Sequence, residues 1–204
     1  MFKIKLGATR FSVGLSLVLA ACAGAVDDPE QPPVSLGELE QALSTPALPS
    51  PTLAVPDGNE LAFYFAASGV QIYACQALTP AAGYGWVFQA PEATLYGRRG
   101  RVMGKHYAGP TWESLDHSTV VASKLAAFTA DPSAIPELLL QATAHSGTGS
   151  FSDVTFIQRL DTTGGLAPAA GCAAEQVGAV ARVDYTATYY FYEAARRCAG
   201  AGHR

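Results

Sequence analysis

Val183-Asp184-Tyr185-Thr186-Ala187-Thr188-Tyr189-Tyr190-Phe191 is the stretch that decides the fold class. Val183, Tyr185, Ala187, Tyr189 and Phe191 alternate with Asp184, Thr186, Thr188 and Tyr190, and a period of two marks a strand with one face in a core. The runs Leu61 to Ala67, Val70 to Cys75, Trp86 to Gln89, Val102 to Tyr107, Ser118 to Ala122 and Val154 to Arg159 share its β-branched and aromatic bias. Gly or Pro punctuates them, and Tyr96 to Arg101 reads as a polar hairpin tip. Leu125 to Leu140 is ambiguous, because Pro136 argues against a continuous helix and leaves room for a short one on either side. The expectation is one all-β domain over 57–194, a sandwich or barrel of roughly eight mostly antiparallel strands with little helix.

Composition agrees with a single packed core. The chain is 49% apolar and 15% charged, with nine Tyr and nine Phe, which excludes disorder throughout. Its net charge of −4 becomes more acidic once residues 1–21 are removed, since that segment carries basic Lys3, Lys5 and Arg10 and no acidic residue. An acidic product lacks the phosphate-facing surface that a nucleic-acid partner requires.

The N-terminus carries an address. Lys3, Lys5 and Arg10 precede the apolar run Phe11 to Leu19, which is too short to span a bilayer and reads as a signal peptide over 1–21. Leu19-Ala20-Ala21-Cys22 resembles the bacterial lipobox, whose Cys is diacylated before the chain is cut in front of it. This predicts a mature protein beginning at lipidated Cys22 and held to a membrane through that anchor. With Ala23 rather than Asp after the Cys, the membrane is expected to be the outer one, on its periplasmic or surface side. The alternative is ordinary secretion, with Ala23-Gly24-Ala25 as the cleavage box before Val26. Residues 22–56 read as a tether: 23–56 hold seven Pro, the acidic group Asp27, Asp28 and Glu30, and no aromatic residue. Leu36, Leu39 and Leu43 can share one face of a short helix there, and residues 195–204 read as a flexible basic tail.

In an oxidising envelope compartment Cys75 and Cys172 are the natural disulfide pair, and closing so long a loop contributes roughly 4–5 kcal/mol on the chain-entropy argument. Cys198 is then left in the tail, and the lack of any C-x-x-C spacing removes redox and zinc-ribbon readings.

Chemistry-bearing residues concentrate in Gly104-Lys105-His106-Tyr107-Ala108-Gly109-Pro110-Thr111-Trp112-Glu113, followed by Asp116-His117-Ser118. With Gln71 to Cys75, Trp86 to Ala93, Ile157-Gln158-Arg159, Gly164-Gly165, Gly171-Cys172 and Tyr185 to Tyr189, this group resembles the bacterial family called domain of unknown function 3455 over roughly 57–194. The resemblance implies an extracytoplasmic location and assigns no activity. Two positions depart from the family pattern: His117 stands where a Gly is usual, and Glu137 where a Trp usually follows Ile135-Pro136.

Read physically, His106 and Tyr107 point to opposite faces of a strand, and Gly109-Pro110 turns the chain before Trp112. His106, Trp112, Glu113 and Asp116 are therefore expected beside one cleft as ligand-binding residues. A His beside a Trp and two carboxylates suits a general acid or base, a sugar-stacking platform or a metal ligand; equally, His106 can be a hydrogen-bonded core residue and Trp112 packing. Metal spacing among His106, Asp116, His117 and His145 is not diagnostic, so no metal and no cofactor are expected. There is no G-x-S-x-G around Ser146, Ser150 or Ser152. Arg98, Arg99, Arg101 and Lys105 make a basic patch best read as a solvated hairpin tip. The reading is a lipid-anchored binding or interaction module of the cell envelope for a small molecule or glycan. The alternative is an envelope enzyme using His106 with Glu113 or Asp116.

Overall fold

The computed structural model describes residues 45–79 and 83–196. The signal segment, Cys22, most of the expected tether, and Cys198 lie outside the described residues. Eight antiparallel strands follow one another round a closed barrel: β1 (Asn59–Ala77), β2 (Tyr84–Tyr96), β3 (Val102–Tyr107), β4 (Thr111–Ser114), β5 (Thr119–Phe128), β6 (Glu137–Ser146), β7 (Val154–Gly164) and β8 (Val180–Ala194). Each strand pairs with the next, and β8 returns to β1, so of the two expected architectures the chain adopts the barrel.

The period of two carries the fold. Along β8, Tyr185, Ala187, Tyr189 and Phe191 are buried, and along β1 Phe65, Ala67, Gln71, Tyr73 and Cys75 are. The outward positions of β2 to β4 and β8 include the ion pairs Lys105–Glu113 and Arg182–Glu92. Gly69, midway along β1, lies where a Cβ would sit 2.1 Å from the Glu92 carbonyl oxygen, so only glycine lets β1 and β2 close there.

The two ends of the barrel differ. One carries the β2–β3, β4–β5 and β6–β7 turns and is closed by aromatic packing. Phe151, from the β6–β7 turn, is fully buried with its ring centroid 4.9 Å from Phe191 and 5.8 Å from Phe63. At the other end are the β1–β2, β3–β4 and β5–β6 turns and the long β7–β8 loop. That loop is tied down by the expected Cys75–Cys172 disulfide, by the Trp86 indole N–H donating to the Ala170 carbonyl at 2.9 Å, and by the Tyr73 hydroxyl donating to the Gly165 carbonyl at 2.6 Å.

One boundary differs from expectation. Residues 45–56, assigned above to the tether, lie along the outer face of β5 to β8. Leu53 is fully buried against Leu139 and Leu160, and its carbonyl accepts from the Gln158 side-chain amide at 2.6 Å. Ser50 caps the single turn of 3-10 helix at Pro51–Leu53. Composition averaged over 22–56 hid the apolar residues Leu48, Leu53 and Val55, which supply this contact.

Candidate functional site

The open end leads into a cavity of about 400 Å³ inside the barrel, to which all eight strands contribute lining residues. Its walls are mainly apolar, with Phe88 and Pro91 from β2, Leu138 and Leu140 from β6, Trp112 from β4 and Tyr189 from β8. Eight strands enclose just enough room for side chains or for one small ligand.

The β3–β4 hairpin places the aromatic wall. Gly109 turns the chain at φ 111°, and the Thr111 hydroxyl donates to the Ala108 carbonyl at 3.0 Å across the same turn. His106 and Trp112 are thereby opposite one another in register, both directed inward, with rings stacked at 4.2 Å. Tyr189 meets both edge-on, at 5.1 and 5.4 Å. His106 Nδ1–H donates to the Thr111 carbonyl at 2.9 Å, which leaves Nε2 as an acceptor. Burial lowers the His106 pKa to about 3; the Arg159 charge works in the same direction, and the Thr111 hydrogen bond opposes them. The ring is neutral at physiological pH, so it is no general acid.

Two residues that line this cavity carry a buried donor without a protein partner. Gln71 Nε2 and Trp112 Nε1 belong to side chains 2% and 1% exposed, and neither makes a hydrogen bond. The Gln71 amide comes near the Tyr185 hydroxyl without hydrogen-bond geometry. Leaving a buried donor unpaired costs about 1–3 kcal/mol, so both call for an acceptor from outside the protein, water or ligand. Arg159 also lines the cavity and donates through Nε and Nη2 to the Pro136 carbonyl at 3.2 and 2.6 Å.

The other two expected site residues are elsewhere. Glu113 follows Trp112 and so faces the opposite side of the sheet, where it accepts from the Tyr107 hydroxyl at 2.9 Å and from Lys105 Nζ at 3.2 Å. The Tyr107 hydrogen bond, with help from Lys105, holds its pKa below the usual carboxylate value. Asp116 lies one turn beyond β4, at the closed end. Its carboxylate accepts from the backbone N–H and hydroxyl of Ser118 and from the same two groups of Ser150 at 2.8 Å, a staple between the β4–β5 and β6–β7 turns. These bonds, the Ser118 hydroxyl foremost, keep it ionised far below the ordinary range. The expected cleft of four residues is thus corrected to His106 and Trp112, which form a buried wall, and His106 has no carboxylate beside it for acid–base work.

His117 occupies the left-handed region at φ 66°, the conformation for which the family's usual Gly is suited, and His145 Nε2 lies 2.7 Å from the Val154 carbonyl oxygen. Arg98, Arg99 and Arg101 are exposed at the β2–β3 tip, as expected. Among the described residues no three His, Cys, Asp or Glu side chains gather to hold a metal. Gln71 and Arg159 were not singled out as site residues, although each is a polar residue at an inward position of a strand, the pattern error that signals a site.

The profile of the family described as "Protein of unknown function (DUF3455)" matches residues 56–193. The chain belongs to that family. No curated protein and no solved structure matches it. The DUF3455 match begins three residues before β1 and ends one residue short of the end of β8, so the family corresponds to the barrel, cavity included, and not to the strap over 45–55.

Proposed function

We propose that this DUF3455 protein is a binding module of the cell envelope that takes a small, largely apolar molecule into the open end of its barrel. The observation that carries the reading is the pair of unpartnered buried donors, Gln71 Nε2 and Trp112 Nε1, on residues that line a mainly apolar cavity. An apolar cavity with a few placed polar groups is the usual form of a small-molecule site, whereas sugars favour a more open aromatic shelf than buried Trp112 provides. The lipobox at Leu19 to Cys22 supports anchoring to the outer membrane through a diacylated Cys22, with membrane and ligand as the partners and no nucleic acid.

Binding of the neutral fluorophore N-phenylnaphthylamine tests the cavity. Saturable binding at one site, lost in Ala122→Phe, which fills the space, is the expected result; binding that survives this substitution would place the dye elsewhere and contradict the reading. Anchoring is tested separately: Cys22→Ala should accumulate unprocessed precursor, and mature protein beginning at Val26 in that variant would refute lipidation.

A further inference from the structure

The charged groups lining this cavity are of one sign. Its lining contains two cations, Arg159 and Lys124, and no Asp or Glu, in a chain whose net charge is −4. We infer that the ligand is an organic carboxylate on an apolar body, its charged head held by Arg159 and its body lying among Trp112, Leu138 and Leu140. The inference rests on reading the cavity as a binding site and narrows what that site takes.

Arg159 is half-buried and points inward from β7, in register with Leu138 on one side and Tyr189 on the other. Among the described residues no carboxylate lies within ion-pair reach of it; it donates to the neutral Pro136 carbonyl and comes near the Tyr189 hydroxyl, likewise uncharged. A guanidinium has five N–H donors in a planar fork suited to a carboxylate, and a neutral carbonyl answers none of its charge. The nearest candidate acid, Glu137, uses one oxygen to accept from the Asp161 N–H at 3.0 Å on the outer side of the sheet, and burial raises its pKa, so it is a poor counterion. The charge reaches through the interior: it adds to the burial that lowers the His106 pKa and opposes the burial that raises those of Tyr73, Tyr185, Tyr189 and Glu137.

The orphan donors point to the same chemistry. Gln71 Nε2 and Trp112 Nε1 both require an acceptor; Trp112 packs on Tyr189, the cross-strand neighbour of Arg159, and Gln71 adjoins Tyr185, whose hydroxyl lies 3.3 Å from that of Tyr189. A carboxylate brings two oxygens and about four acceptor positions, enough for the guanidinium and an orphan N–H together. An ammonium ligand would meet two like charges, and a neutral ester would leave Arg159 without a counterion. The acceptor in the wall, His106 Nε2, is neutral and does not repel an anion.

A matched series separates this inference from the reading it rests on. Decanoate, methyl decanoate and decylammonium are titrated near neutral pH against the purified full-length protein, displacing N-phenylnaphthylamine. Decanoate should bind at least about tenfold more tightly than the ester, as charge-assisted hydrogen bonds imply, and decylammonium least well. Arg159→Gln should abolish the preference for the acid while ester binding persists, which also reports an intact barrel. Ester binding equal to or tighter than acid binding overturns the carboxylate assignment and leaves the cavity reading standing. Failure of all three to displace a dye that does not bind the cavity overturns both.

Discussion

The closed and open ends of the barrel are built from the same alternating strands and are finished in opposite ways. At the closed end Phe63, Phe65, Phe151 and Phe191 pack ring against ring, and the Asp116 carboxylate is saturated by Ser118 and Ser150. At the open end the interior is left partly empty, two donors are unpaired, and the surrounding loop is fastened by a disulfide. Polar groups at the closed end serve stability; those at the open end lower it, and such a cost is the mark of a site kept for binding.

The largest expected effect is at the open end. Replacing both cysteines, Cys75→Ser with Cys172→Ser, releases a bridge across 97 positions and should cost about 4–5 kcal/mol in denaturant unfolding. A loss under about 1 kcal/mol would mean that the β7–β8 loop is held without it. Next, Phe151→Ala should cost about 3–5 kcal/mol, because its fully buried ring plugs the closed end, and should leave dye binding at the other end intact. Loss of dye binding in a still-folded variant would erase the distinction between the ends.

Acid should expose the open end first. In the fold His106 accepts a proton only near pH 3, against about 6.5 in the unfolded chain, so between those values the unfolded chain binds more protons and stability falls as pH falls. The slope has a ceiling of about 1.4 kcal/mol per pH unit and should be absent above about pH 7 and in His106→Gln. Asp116 works with the usual carboxylate sign: its contribution is complete above its ordinary range near 4 and is lost progressively as pH falls from there toward its depressed folded value, so the closed end responds later. A His106→Gln variant that keeps the wild-type slope between pH 6.5 and 4.5 would contradict a buried neutral imidazole. The smallest effect is expected at His117→Gly, which relieves a left-handed backbone at φ 66° on an exposed turn and should stabilise by about 0.5–1 kcal/mol. No change, or destabilisation, would show that the contact of His117 with Glu113, at 3.8 Å, outweighs the strain.

The β class and the core face of β8 were legible because alternation is a local property; Tyr185, Ala187, Tyr189 and Phe191 are buried as their spacing requires. Closure into a barrel was not, since it depends on β8 finding β1 across the whole domain, and neither strand names its partner. Strand ends blurred for the same reason: β4 has four residues, and β6 begins just after Pro136, where chain-local reasoning left an ambiguous segment. At the site, proximity along the chain misled. His106 and Trp112 meet because hairpin register pairs them, whereas Glu113, one residue on, faces away. Gln71 and Arg159 come from β1 and β7, and only the closed barrel brings them to one cavity.

The central claim, that the unpaired donors of the open end exist to hold a ligand, is tested most directly by Gln71→Leu. It replaces one orphan donor with an apolar group of similar shape and leaves the packed indole of Trp112 and the closed end untouched. Its Tm and its decanoate affinity should be measured side by side with those of the parent. The account predicts an equal or higher Tm, together with at least about a tenfold loss of affinity. A Tm lower by several degrees with unchanged affinity would show that Gln71 is structural and that its donor does not serve a ligand.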